Sequence, residues 1–220
     1  MSQNRSEILF EEFCSSAGIK YFSVPTEAHS KTPDYELIVG EQKVVVEVKE
    51  IERNREEIES DRLLQQRGYG NATGGVPGQK VRLKIQSCSG QIKARSQRIH
   101  PSFLVLYEHH IAAVNIEPYE ILVAMYGLET FILAVPEKGR PYLIDKKLGP
   151  RRKMTEHDNT SISGVATLRK RQTGRTELTL YHNKYAAIHL NAHILAQYDV
   201  VQFRLAQTEV GSIPCWEHIA

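Results

Sequence analysis

The stretch Lys31 to Ile51, KTPDYELIVGEQKVVVEVKEI, leaves the chain little alternative to a β-hairpin. Tyr35 to Val39 is a short run of strand formers entered through Pro33-Asp34. Lys43 to Glu50 is a second run, carrying the β-branched Val44, Val45, Val46 and Val48. Gly40-Glu41-Gln42 supplies the turn between them, with Gly40 free to take a positive φ. Side chains alternate along a strand, so Val44, Val46 and Val48 line one face and Lys43, Val45, Glu47 and Lys49 the other. Glu47 and Lys49 then project together, their Cα atoms about 7 Å apart. So apolar a strand belongs in the middle of a sheet, where a lone charge is costly to bury. A carboxylate and an ammonium side by side, with Asp34 on the neighbouring strand, require a compensating partner. For two carboxylates that partner is naturally a divalent cation, since hard cations take oxygen ligands.

Pro33-Asp34, twelve intervening residues and then Glu47-Val48-Lys49 form a pattern that resembles the PD-(D/E)xK superfamily, the restriction-endonuclease-like phosphodiesterases. The resemblance implies an α/β fold with an αβββαβ core and a mixed central sheet, matched over about residues 5 to 108. It divides the chain into a nuclease-like core, residues 1–110, and an α/β extension, residues 111–220. No low-complexity linker separates the two, so the extension is expected to pack on the same domain. The resemblance further implies Mg²⁺ or Mn²⁺ held by Asp34, Glu47 and a backbone carbonyl near Val48. Lys49 is then the residue that orients or helps deprotonate water and stabilises charge on the phosphorane oxygens. Members of the superfamily often add an acid from an opening helix. Glu7, eleven residues before Gly18, has a spacing similar to that of archaeal Holliday-junction resolvases, with Glu11 and Glu12 as contenders. The activity implied is metal-dependent hydrolysis of nucleic acid, DNA before RNA. The competing expectation is a catalytically silent nucleic-acid-binding or regulatory module on the same fold. A homodimer is left open, because no interface signature is legible.

The net charge of +2 neither demands nor excludes a nucleic-acid partner, so its distribution must decide. From Arg62 to Tyr107 there is no acidic residue and there are eight Lys or Arg, Arg82 among them. A field of this sign is what a phosphodiester backbone seeks. Within the run, Val81, Ile85, Cys88 and Ile92 recur at helical spacing as one buried stripe, and Lys84, Gln91 and Arg95 lie on its polar flank. Lys84, Gln91, Arg95 and Arg82 are therefore the nucleic-acid-binding candidates, and Gln91 or Lys84 also suits the site-flanking position of the resembled fold. The Gln-x-x-x-Tyr of the RecB-like branch is not matched, since Arg95 stands where the Tyr would be.

In chain order, a helix capped by Ser6 and ended by Gly18 opens the fold, and Tyr21–Val24 is a strand. A charged helix spans Glu52–Gln66. The glycine-dense run Gly68–Gly78 lacks both a Gly-Lys-Ser/Thr ending and a preceding strand, so it reads as a loop and not a phosphate cradle. Ser102–Tyr107 is a buried strand parallel to its neighbour. Beyond it, Pro118–Met125 is helical, Thr130–Val135 a strand, Ile162–Leu168 and Leu178–His182 a hairpin, and Val200–Leu205 a closing strand. Two basic clusters, Lys146, Lys147, Arg151, Arg152 and Lys153 in a loop around Gly149-Pro150 and Arg169, Lys170, Arg171 and Arg175 near the hairpin tip, fit either a nucleic-acid surface or simple solubility. The three cysteines are far apart and read as thiols in a reducing cytoplasm. No apolar run is long enough to span a membrane, so a cytoplasmic location with no membrane partner is expected.

Overall fold

The structure, a computed structural model, describes residues 4–25, 32–69, 75–108, 116–171, 173–206 and 212–219. Helix α1 (Arg5–Ala17) is followed by β1 (Lys20–Ser23), β2 (Tyr35–Val39) and β3 (Gln42–Ile51). Two helices, α2 (Arg55–Arg67) and α3 (Gln79–Ser96), lead to β4 (Ser102–Glu108). The remainder is α4 (Pro118–Tyr126), β5 (Glu129–Ala134), β6 (Tyr142–Leu148), β7 (Gly164–Lys170), β8 (Thr176–His182), α5 (Ala192–Ala196), β9 (Val201–Leu205) and β10 (Trp216–Ile219). The architecture is mixed α/β. One eight-stranded sheet runs in the order β1-β2-β3-β4-β7-β8-β9-β10, and β5 and β6 form a separate two-stranded sheet.

The hairpin forms as its sequence requires. Gly40 takes φ +60°, giving a two-residue Gly40-Glu41 turn, and Gln42 already belongs to β3, paired with Val39. Antiparallel pairing sets Tyr35 opposite Val46 and Leu37 opposite Val44. Strand β1 adds antiparallel on the outside of β2, while β4 adds parallel on the far side of β3, with Val48 beside Val105. That parallel pairing needs a crossover, and α3 supplies it.

Each face of the sheet is covered by a different helix group. Leu9, Phe10 and Phe13 of α1 pack with Tyr35, Leu37, Val44, Val46 and Val48 on one face. On the other, the expected stripe Val81, Ile85, Cys88 and Ile92 of α3 packs with Ile51, Leu104 and Leu106, and α4 adds Ile121 and Met125. Burying side chains of this size stabilises the fold by about 1.5–3 kcal/mol each. Gly78, at φ +70°, lets the start of α3 approach α4 closely: a Cβ there would stand 2.6 Å from the Glu120 carbonyl oxygen.

Four expectations are corrected. Asn4, not Ser6, precedes α1: its backbone N–H and Nδ2 each donate to the Glu7 carboxylate at 3.3 Å, and Ser6 is buried. The charged helix starts later, at Arg55, because Asn54 accepts from Glu57 N–H at 2.8 Å and caps it. Lys146 and Lys147 lie on β6 instead of in a loop. Strand β9 does not close the sheet, since β10 pairs antiparallel on its outside. Of the glycine-dense run, residues 70–74 lie outside the described residues, as do residues 26–31 of the connection before the hairpin. Among the described residues no helix is long and apolar enough to cross a membrane.

Candidate active site

Asp34 stands at the entrance to β2, one residue before the paired Tyr35, and so lies level with Glu47 on β3. Val48 N–H donates to Asp34 Oδ2 at 2.8 Å, which fixes the carboxylate against the centre of β3. In a ladder a residue's N–H and C=O point to the same neighbour. The Val48 carbonyl therefore faces the Asp34 side as well.

Strand alternation turns Glu47 and Lys49 toward α3, away from the valine face that meets α1. Glu47 is 0% exposed and forms an ion pair with Lys49, whose side chain keeps 32% of its surface. Neither Glu47 oxygen accepts a hydrogen bond of good geometry, although both are buried. Buried polar atoms in that condition are uncommon and cost free energy. Burial pushes the Glu47 carboxyl above its ordinary pKa and the nearby Asp34 charge adds to the rise, while Lys49 and the Gln91 side chain oppose it. Asp34 is raised too, by burial against the pull of the Val48 N–H and Lys49. For Lys49, burial favours the neutral amine, yet Glu47 and Asp34 outweigh it and hold the ammonium above its usual pKa. Two carboxylates sharing partly dehydrated space, with one cation paired to Glu47 and felt by Asp34, form an incompletely neutralised cluster.

Among the described residues no group of three or more His, Cys, Asp or Glu converges as a metal cage. Mg²⁺ does not need one: one or two carboxylates with carbonyl and water ligands satisfy it. The buried Glu47 oxygens, which lack a well-formed hydrogen bond, the Asp34 oxygen not engaged by Val48 and the Val48 carbonyl are a hard-oxygen donor set of that kind. The residues fit a divalent cation.

The other expected site residues divide. Gln91, on α3, reaches Glu47 and favours its ionised form. Lys84 lies two turns earlier on the same helix, half-buried. Arg95, exposed, extends the line in the opposite direction, but its Nε donates to Glu36 Oε1 at 2.6 Å. Glu36 also pairs with Lys43 at 2.8 Å, and despite partial burial these two cations hold its carboxyl below the usual range.

Arg82 does not join the others. It is 3% exposed, with its guanidinium donating to the Val123 carbonyl at 3.3 Å and to the Pro77 carbonyl at 2.7 Å. It lies three residues before Ile85, on the flank of the buried stripe that turns toward α4, and that spacing is the signal that it points inward. Val123 is in the last turn of α4, where a cation suits the helix dipole.

The acids of α1 are not brought to Glu47 either. Glu7 is engaged with Asn4 at the helix start. Glu11 accepts from the Tyr35 hydroxyl at 2.9 Å and Glu12 pairs with Lys170 at 3.1 Å. The helix they share covers the opposite face of the sheet. Tyr35 links the two sides electrostatically. After burial, its hydroxyl is pushed up by Glu11, then Glu7 and Asp34.

The cations at the β7–β8 tip all find partners within the chain, three of them acids. Arg169 donates to the Ile116 carbonyl, Lys170 pairs with Glu12, Arg171 with Glu177 and Arg175 with Asp199. Sequence alone gave no sign of Glu36 or Cys88 as neighbours of the site. Cys88 is read only as part of a buried stripe, yet the Glu47 charge, after burial, pushes its thiol up to about 12. Comparison with known proteins adds nothing to this geometry, for no family model, curated protein or solved structure matches the chain.

Proposed function

We propose that this protein is a metal-dependent phosphodiesterase acting on nucleic acid, with DNA as the favoured substrate, built on a restriction-endonuclease-like core. The observation that carries this is the placing of Asp34 and Glu47 beside Lys49, two carboxyls with raised pKa values, of which Glu47 is buried without a well-formed hydrogen bond, and one ammonium. The order α1-β1-β2-β3-α2-α3-β4 supports it, with three antiparallel strands, a helical crossover and a parallel fourth strand. So does the position of the acids, at the entrance to β2 and on the central strand β3.

Asp34, Glu47 and the Val48 carbonyl would hold Mg²⁺ or Mn²⁺, which when bound polarises a phosphoryl oxygen and acidifies water. The Val48 N–H keeps the Asp34 carboxylate aimed at its partner. Gln91 steadies Glu47 in its ionised form from the helix above. Lys49, charged and one-third exposed, is a donor toward the oxygens of a phosphorane, where charge builds in the transition state. Its raised pKa makes it a better electrostatic stabiliser than a general base. Lys84 and Arg95 flank this line and meet the phosphates on either side.

The test is cleavage of plasmid, linear and single-stranded DNA in Mg²⁺ or Mn²⁺, with the wild type set beside Asp34→Ala and Lys49→Ala. Loss of Lys49 is expected to slow cutting by about 10²–10³-fold, the usual cost of one charge-stabilising donor. Equal activity in the three proteins would end the assignment. Binding that survives chelation with no cutting on any substrate would favour a silent binding module.

A further inference from the structure

The two basic clusters of the second half sit in different surroundings. At the β7–β8 tip every cation already has a partner in the chain. Five of the eight residues 146–153 are also cations: Lys146, Lys147, Arg151, Arg152 and Lys153. Among the described residues none of these five pairs with an acid. Lys153 Nζ donates to the Gln86 side-chain oxygen at 2.9 Å, and Asp145 accepts the Lys146 backbone N–H at 2.8 Å.

The segment gathers like charge on a fixed backbone. Burial first, and Arg151 after it, lower the pKa of the Arg82 guanidinium, so these two cations feel one another. Arg151 also takes φ +66°, a left-handed conformation uncommon outside glycine and asparagine. Gly149 N–H donates to the Leu128 carbonyl at 2.8 Å, Lys153 N–H to the Ala124 carbonyl at 3.1 Å and Met154 N–H to the Met125 carbonyl at 2.8 Å. The end of α4 favours a cation through its dipole, but that effect fades within one turn and does not call for five. Unpaired cations held in place on a rigid segment are what phosphates bind.

Their position relative to the carboxylates decides which phosphates. Successive residues of an α-helix turn by about 100°, so Lys84 and Gln86 lie on opposite flanks of α3. Lys84, Gln91 and Arg95 are on the flank of the carboxylates, and Gln86, with Lys153 bonded to it, is on the flank toward α4. Between the flanks the outer face of α3 carries Leu83, Ser87, Gly90 and Ala94, all exposed and uncharged. An α-helix with its side chains is about 10–12 Å across, and the major groove of B-DNA is about 12 Å wide. The two cationic lines thus stand apart by about the distance between the backbones that border one groove. A-form RNA, with its narrow major groove, does not match that spacing.

We propose that the segment from Lys146 to Lys153 is a clamp for the complementary strand of duplex DNA: with one strand at Asp34 and Glu47, Arg151, Arg152 and Lys153 hold phosphates of the other across α3. The inference rests on the phosphodiesterase reading for the placing of the first strand. Its test reads binding in EDTA, where cutting plays no part, so the two fail separately.

The measurement is fluorescence anisotropy of a labelled duplex, and of its separate strand, over a salt series. Arg151→Asn/Arg152→Gln removes two cations, and Asn tolerates the left-handed backbone at 151. With an unchanged circular dichroism spectrum, it is expected to lower the salt slope of duplex binding by about 2 and that of the single strand by less than about 0.5. Arg171→Gln/Arg175→Gln removes the same charge from the tip, where both cations are paired, and is expected to change neither slope. A duplex slope that the 151/152 variant leaves at the wild-type value overturns the proposal. So does an equal fall for duplex and single strand, an equal fall in the tip variant, or a wild type that binds no duplex at any salt.

Discussion

Glu47 lives in surroundings that an ionised carboxylate ordinarily avoids: no exposure, no well-formed hydrogen bond, and a second acid beside it. A carboxyl whose folded pKa lies above its unfolded value holds more protons folded than unfolded in the window between the two. In chelator, stability therefore falls as pH rises from about 4.3, the ordinary Glu value, to the raised folded value. Glu47→Gln should flatten that slope, as read by urea unfolding at a series of pH values in EDTA. A slope unchanged by the substitution would place the strain elsewhere. Adding a cation should reverse the cost. At 100 times its Kd a bound ion adds about 2.7 kcal/mol, which in a chain of this size raises the melting temperature by roughly 5–10 °C. Mn²⁺ should produce that rise in the wild type, and neither Asp34→Asn nor Glu47→Gln should show it.

At the scale of elements, α3 separates two cations that its sequence presents alike. Arg82→Ala should destabilise the fold by about 2–3 kcal/mol, because it strips buried charge-assisted hydrogen bonds from the Val123 and Pro77 carbonyls. Lys84→Ala should leave stability within about 0.5 kcal/mol and lower the salt slope of DNA binding by about 1. If the two variants exchange these effects, the assignment of faces on α3 is wrong. Helix α2 has no buried residue and is tied down by Lys80 on Glu57, 2.6 Å, and by the Arg53–Asp61 pair. Its amides should exchange well before those of α3 in native-state hydrogen exchange. Helix α3 was legible in the sequence because it buries one stripe, which imposes a period near 3.6, whereas the hairpin was legible through its Gly40 turn and the β-branched run of β3, a strand buried on both faces. Strand β6 was not legible, since only Leu148 of YLIDKKL packs against the core and nothing imposes alternation on the rest. The inward turn of Arg82 was hidden for a different reason: its partners are backbone carbonyls, which leave no pattern in side-chain identity.

Across the whole molecule, one sheet keeps two chemistries apart, an aromatic and aliphatic face under α1 and a face under α3 that holds the carboxylates. Cys14 lies in the first and Cys88 in the second, each buried with its thiol pushed up to about 12, while Cys215 is exposed. Ellman's reagent should thus label one thiol per native chain and three after unfolding. The first half of the site was legible because Asp34, Glu47 and Lys49 are held by short-range hairpin geometry. The placement of Glu7 and Glu36 depends on how distant elements pack, which residue spacing does not encode. The most direct test of the central claim is the anomalous difference density of crystals soaked in Mn²⁺. The expected result is one peak between Asp34 and Glu47, within about 2.0–2.2 Å of an oxygen of each. No peak there, or an ion bound by other residues while these two carboxylates stay apart, would contradict it.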